Sequence, residues 1–120
     1  MVDTRASTRM PTFVVVEESG DWEDYDWRIV GVFENEPGAH AFAWKHAFAG
    51  QLRCSISVHA WATGDSHCIS VSHLNAEELR RNWGGVELAR MAAAVDVERG
   101  VVPDLLAEYC TILAPAPAEP

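Results

Sequence analysis

Histidine and cysteine side chains are the first residues to test for chemistry, because they serve as metal ligands and nucleophiles. Four of them lie within fifteen residues, namely His59, His67, Cys68 and His73. Structural zinc sites usually rely on close pairs such as Cys-x₂₋₄-Cys or His-x₃₋₅-His whose ligands converge. The strand register predicted below places His59 and Cys68 on one face of a hairpin and His73 on the other. We therefore expect no metal site and no cofactor.

No nucleophile stands in a recognisable catalytic context. The chain has no Gly-x-Ser-x-Gly elbow, and Gly84-Gly85 lacks the Lys-Ser/Thr that follows in a phosphate-binding loop. We expect no catalytic residues and no enzymatic activity. One alternative stays open: a small-molecule or metal-binding enzyme could use the polar face of the second hairpin, which consists of Ser55, Ser57, His59, Cys68 and Ser70.

Carboxylates and aromatic rings alternate in the segment DWEDYDW at residues 21–27. Residues 17–36 hold eight acidic residues against Arg28 alone, a local net charge of −7. The segment lacks the mid-loop glycine and the terminal glutamate of a calcium-binding EF-hand loop. Trp and Tyr side chains often anchor protein interfaces, and carboxylates steer a protein toward a basic partner. A solvated loop whose aromatics pack on the core is the alternative. The predicted partner-binding residues are Glu17, Glu18, Asp21, Trp22, Glu23, Asp24, Tyr25, Asp26 and Trp27.

The overall charge limits the classes of partner. Eighteen acidic residues against nine basic ones give a net charge of −9, which repels nucleic-acid phosphates and anionic lipid. No run approaches the roughly 20 apolar residues that span a bilayer. The N-terminus lacks the apolar stretch and small-residue cleavage site of a signal peptide. The three cysteines lack the spacing of a disulfide framework, which fits free thiols in a reducing compartment. We expect a cytoplasmic protein that binds neither nucleic acid nor membrane directly.

The pattern of apolar residues predicts an α+β fold. Strands are expected at residues 12–18, 27–33, 53–62 and 67–73, and helices at 36–49, 75–83, 86–99 and 103–113. Asn35 is expected to cap the first helix, and Asn75 with Glu78 resembles a capping box for the second. The order ββα-ββα-αα predicts a four-stranded antiparallel sheet with helices packed on one face. A single domain at residues 11–114 is expected between a flexible N-terminus at 1–10 and a disordered Pro/Ala tail at 115–120.

The register of the second hairpin can be predicted from its alternation. Pairing residues whose numbers sum to 129 places Val58 opposite Val71 and Ala60 opposite Ile69. Apolar residues then share one face of both strands. The other face is small and polar apart from Trp61.

The first strand has apolar residues on both faces, because Phe13 and Val15 alternate with Val14 and Val16. Such a strand is typical of one that is covered on two sides. A second hypothesis is therefore a structural homodimer, in which the apolar outer face of the first hairpin is buried against the same face of a second copy.

Residues 12–43, TFVVVEESGDWEDYDWRIVGVFENEPGAHAFA, resemble the opening of small uncharacterised proteins encoded by bacteriophages and some bacteria. Those proteins share a strand, an acidic-aromatic loop, an I-V-G-V-F-like strand and an alanine-rich helix. The resemblance implies a setting in phage or mobile-element biology and supplies no catalytic residues.

Charge and resemblance together predict a small, acidic, non-enzymatic protein-binding module. Its expected partner is the basic surface of a host or other protein. The module would act as a host-interaction protein or inhibitor, with its carboxylates placed where the phosphates of a nucleic acid would lie.

Overall fold

The computed structural model of the chain describes residues 11–19, 26–62 and 68–113. They form one antiparallel sheet whose strand order is β2-β1-β3-β4-β5. The predicted α+β class is confirmed, but the sheet has five strands where four were expected. The strands are β1 (Pro11–Ser19), β2 (Asp26–Phe33), β3 (Ser55–Ala62), β4 (Cys68–Leu74) and β5 (Cys110–Leu113).

β1 is an interior strand, paired with β2 on one side and with β3 on the other. Its run of β-branched valines favours the extended backbone. The β1–β2 ladder closes with Ser19 opposite Asp26, so the expected first hairpin is present. The register shifts between Val15 and Val16, which leaves Val30 of β2 as an extra residue that packs toward the core. Bulges of this kind increase the local twist of a sheet.

The predicted register of the β3–β4 hairpin is wrong by one residue over most of its length. Val58 lies opposite Ser72 and Ala60 lies opposite Ser70, although Trp61 does lie opposite Cys68 as expected. A shift in register next to Trp61 makes Ile69 the extra residue, and it is 51% exposed. Because side chains alternate strictly, that one residue moves all of the following side chains to the other face.

The first helix, α1 (Glu36–Ala49), is confirmed at both ends. The Asn35 side chain accepts a hydrogen bond of 2.7 Å from the Gly38 amide, and Pro37 lies in the first turn where no amide is needed. The left-handed residues that end the helix are Gln51 and Leu52, at φ 62° and 58°, and not Gly50.

Two shorter helices follow, α2 (Ala76–Asn82) and α3 (Gly85–Ala94). The break at Gly84 was predicted, but Asn75 makes no side-chain capping hydrogen bond. The helix expected to reach residue 99 ends five residues earlier. Asp96 explains the early end, because its side chain accepts from the Arg99 amide and so competes with helical bonding.

The expected last helix at 103–113 is wrong. Only α4 (Asp104–Ala107) is helical, and the chain then enters β5 beside β4. The β-branched pair Thr111 and Ile112 favours a strand, and the Tyr109 carbonyl accepts from the Asn75 amide at the start of that ladder. Ile112 lies opposite Ser72 on the edge strand, where it is 67% exposed.

All the helices contribute to one core on the inner face of the sheet. Trp44 of α1 is completely buried in it, and Leu79 of α2 and Leu106 of α4 belong to the same cluster. The strands contribute Phe13, Val15, Ile56, Val58 and Ala60. Gly31 is required here, because a Cβ atom at that position would lie 2.9 Å from the Phe42 ring. The opposite face of the sheet is the outer face.

Candidate partner-binding surface

The outer face of the sheet carries the second apolar stripe predicted from β1. Val14 lies opposite Val32, Val16 opposite Ile29, and Glu18 opposite Trp27 across the β1–β2 ladder, and partners in a ladder point to the same face. The core residues of β1 are Phe13 and Val15, so these alternate residues point away from the helices. Three side chains of β2 are largely solvent-exposed: Trp27 at 56%, Ile29 at 55% and Val32 at 61%.

A groove of about 500 Å³ runs along β1 on this outer face. Val14 and Val16 form its floor, and Glu18 lies at the end near the first hairpin loop. Trp27 and Ile29 of β2 wall one side, and His59 and Trp61 of β3 wall the other. The groove therefore combines an apolar floor, aromatic walls and a carboxylate.

His59 contributes a polar group to the groove. Burial among these side chains lowers the pKa of His59, and the nearby Glu18 carboxylate opposes this effect. Burial dominates, so the pKa of His59 lies below its usual range. The lowered pKa favours the uncharged form of the His59 ring, and Glu18 is the acidic side chain of the groove.

Four of the nine predicted partner-binding residues lie in the described part of the chain, and they do not share one face. Glu18 and Trp27 face outward and line the groove, and Asp26 is exposed at the end of β2. Glu17 points to the inner face, where its residue is only 9% exposed. The other five lie outside the described residues: Asp21, Trp22, Glu23, Asp24 and Tyr25.

Glu17 is neutralised inside the chain. Its Oε1 atom accepts from Arg28 Nε at 3.2 Å, from Arg28 Nη2 at 3.1 Å, and lies 3.0 Å from His46 Nε2. The Cys54 thiol, the His46 ring and the Arg28 guanidinium, in that order, outweigh desolvation and lower the pKa of Glu17 from 4.5 to about 2. Glu17 thus ties β1, β2 and α1 together, and we remove it from the groups available to a partner.

Cys54, His46 and Glu17 have the residue types of a catalytic triad but not its chemistry. The neighbouring Glu17 carboxylate, together with burial, raises the pKa of the Cys54 thiol. A nucleophilic cysteine requires a lowered pKa, since the thiolate is the reactive form. This cluster stabilises the fold.

The polar face predicted for the second hairpin is only partly assembled. Ser57 and His59 lie on the outer face as expected, but Ser70 points inward opposite Ala60. His73 shares the outer face with His59, contrary to the predicted register, and its Nδ1 atom lies 3.2 Å from the Ser57 hydroxyl. Among the described residues, no three His, Cys, Asp or Glu side chains are grouped so as to hold a metal ion. His67 lies outside the described residues.

A second concave surface, of about 540 Å³, lies between the end of α1 and the start of α2. It is lined by three arginines, Arg53, Arg80 and Arg81, and by Glu77. The Glu77 carboxylate lies 3.9 Å from the Arg80 guanidinium and 3.8 Å from the Arg81 guanidinium. These exposed pairs are long, so they contribute little to stability. The surface is polar and open, and it lies apart from the groove on the outer face.

Sequence reasoning found the two-faced β1 but missed most of the outer face. Ile29 and Val32 were visible only as members of a β-rich segment, since their direction depends on the bulge at Val30. Leu113 was assigned to a helix. The alternation of apolar residues along β1 is the signal for this face, because a strand that is apolar on both sides predicts apolar partners on the outer face of β2.

None of the described helices is both long and apolar enough to cross a membrane. Comparison of the chain with protein-family models, with curated proteins and with solved structures found no match. The resemblance of residues 12–43 to small phage and bacterial proteins stays a prediction.

Proposed function

We propose that this chain is a small non-enzymatic protein-binding module whose partner presents a basic, partly apolar surface. The observation that carries the proposal is the cross-strand pair of Glu18 and Trp27 on the outer face. A carboxylate and an exposed tryptophan stand side by side there, at the end of the sheet where the acidic segment leaves β1. Trp is enriched among the residues that anchor interfaces, and a carboxylate beside it can steer a basic partner to the anchor.

The charge distribution supports a protein partner over a nucleic acid. Seven of the nine excess negative charges lie in residues 17–36, and only Glu17 of the described carboxylates there is paired with an arginine. Long-range attraction to a cationic surface speeds association and selects against acidic partners. In this proposal, the carboxylates occupy the positions that phosphates would take on a nucleic-acid-binding protein. The resemblance of residues 12–43 supports a host-interaction or inhibitor role in phage or mobile-element biology.

The enzymatic alternative has less support. Its polar face would need Ser70 beside His59, whereas Ser70 points to the core side. The Cys54 thiol is held in its unreactive form by Glu17. Binding therefore accounts for more of the arranged side chains than catalysis does.

The test is affinity capture from an extract of the natural host, with mass spectrometry as the readout. A variant that neutralises the acidic segment carries Asp21→Asn, Glu23→Gln, Asp24→Asn and Asp26→Asn. A matched control removes four exposed carboxylates far from that segment and has the same net charge. It carries Glu87→Gln, Glu98→Gln, Asp104→Asn and Glu108→Gln.

The wild-type chain and the control should capture the same basic protein, and the neutralised variant should lose it. Capture should also weaken steeply as salt is raised, because exposed charges are screened. Trp27→Ala should weaken binding by about tenfold or more if Trp27 is an anchor. Equal capture by both neutralised variants would remove the proposal.

A further inference from the structure

A row of apolar side chains, interrupted by His59 of β3, crosses the outer face of the sheet. Val32 of β2 lies opposite Val14 of β1, and Val14 lies opposite His59 of β3. The row continues across the next two ladders through Val71 of β4 to Leu113 of β5. Both ends are open to solvent, since Val32 is 61% and Leu113 is 55% exposed. Scattered exposed apolar residues are normal, but a larger patch across a sheet marks an interface.

We infer that this outer face is the interface of a homodimer, covered by the outer face of a second copy of the chain. The inference goes beyond the proposed function, which concerns the acidic end of the sheet. The charged residues of the described outer face lie toward that end, whereas the row from Val32 to Leu113 crosses the sheet away from it.

The size of the face matches what a stable dimer needs. The five strands contain 36 residues; at about 3.3 Å per residue and about 4.8 Å between strands, they cover roughly 570 Å² of flat area. Side chains roughen this surface, so its accessible area is larger. With the Glu18–Trp27 end of each sheet left uncovered, two copies would bury more than about 1,000 Å² in total, which reaches the lower end of the range of specific protein–protein interfaces.

The shape of the face favours a second copy. Face-to-face sheets pack well when their twists match, and two copies of one sheet have the same twist by construction. The bulges beside Val16 and Trp61 add local twist on the strands that form the groove. A two-fold contact also closes on itself and leaves no apolar face exposed.

Charge sets the direction of the two-fold axis. Each copy carries a net charge of −9, of which residues 17–28, around the first hairpin loop, contribute −5. An axis perpendicular to the strands places the two acidic ends at opposite ends of the dimer, where they repel least. Each acidic end then remains available to a basic partner.

The oligomeric state of the full-length chain tests the inference, measured by sedimentation velocity from about 1 to about 100 µM, the range expected for an interface of modest size. Ile29→Asp and Val32→Asp place a charge in the interface at positions that are exposed in the single chain, so folding should be retained. Val86→Asp is the matched control, because Val86 is 69% exposed on α3.

The wild-type chain and Val86→Asp should sediment with twice the chain mass, and both outer-face variants should sediment as monomers with unchanged circular dichroism. A wild-type monomer at every concentration would overturn the inference, as would variants that dimerise as tightly as the wild type. Open-ended larger assemblies would also overturn it, because a two-fold contact closes.

Salt separates this inference from the proposed function. Screening weakens repulsion between like-charged copies, so the dimer should tighten with salt, whereas capture of a basic partner should weaken. Loss of capture with an intact dimer would count against the proposed function alone. A salt-independent monomer that still captures its partner would count against the dimer alone.

Discussion

Glu17 gives the sharpest prediction, because its carboxylate is held by three elements of the fold. The fall in its pKa from 4.5 to about 2 corresponds to roughly 3–4 kcal/mol of folding free energy, at about 1.4 kcal/mol for each pH unit. The Arg28 side chain is 68% exposed, so solvent screens that part of the interaction and we discount the value to about 2 kcal/mol. Glu17→Gln should therefore lower the free energy of unfolding by about 2 kcal/mol at pH 7.

The pH dependence follows from the direction of the shift. A carboxyl group whose pKa is lower in the folded chain stabilises it above pH 4.5, and that stabilisation is lost as the pH falls from 4.5 toward 2. The gap between wild type and Glu17→Gln should therefore close across this window. Urea unfolding followed by tryptophan fluorescence, at one fixed protein concentration, measures it.

Glu18→Gln is the control for this experiment. It removes the same charge one residue away, on the outer face, and should change stability by less than about 0.5 kcal/mol. The reasoning would be refuted by a Glu17→Gln variant as stable as the wild type at pH 7. A gap that stays constant from pH 7 to pH 3 would refute it equally, because it would not arise from ionisation.

Three further predictions concern the packing of the helices and are all measured by urea unfolding. Trp44→Ala should cost about 3–5 kcal/mol because the side chain is fully buried. Trp44→Phe should cost less than half as much, because a phenyl ring refills most of the space and the indole N–H makes no hydrogen bond of good geometry to a described residue. Equal losses would contradict this. Gly100→Ala should cost more than about 1 kcal/mol, because φ is +66° and the new Cβ atom would lie 2.8 Å from Pro37. Gly85→Ala is the control: its new Cβ atom would have nothing within 4 Å, so the change should be neutral or stabilising. Asn35→Ala should cost about 1 kcal/mol through loss of the α1 cap, and an unchanged midpoint would show that the cap contributes nothing.

The elements with strong local signals could be predicted from the sequence. α1 has a capping asparagine and a proline in its first turn, and each signal acts within a few residues. The two-faced character of β1 was likewise visible in its alternation. Because these signals are local, they do not depend on how the rest of the chain packs.

The features that depend on long-range pairing could not be predicted. One bulge residue, Ile69, reversed the faces of β4, and nothing in the alternation of the sequence marks which residue is extra. β5 was read as a helix because Leu105 and Leu106 fit a helical stripe, and only pairing with β4 selects the strand. The inward direction of Glu17 could not be predicted either. Alternation along β1 shows that Glu17 and Glu18 point to opposite faces, but only the packing of the helices decides which face is covered.

The interior position of β1 in the sheet affects how the chain folds while it is being synthesised. β1 is made before its neighbours, and β2 can join it at once, but its other edge waits for β3, about forty residues later. The loop-closure entropy of that β1–β3 ladder must be overcome before its contacts stabilise anything, which slows folding relative to a helical bundle of the same size. Until β3 is made, a valine-rich strand has an unpaired edge while α1 is being translated, and charged side chains such as Glu17 and Glu18 disfavour pairing of such an edge with another chain.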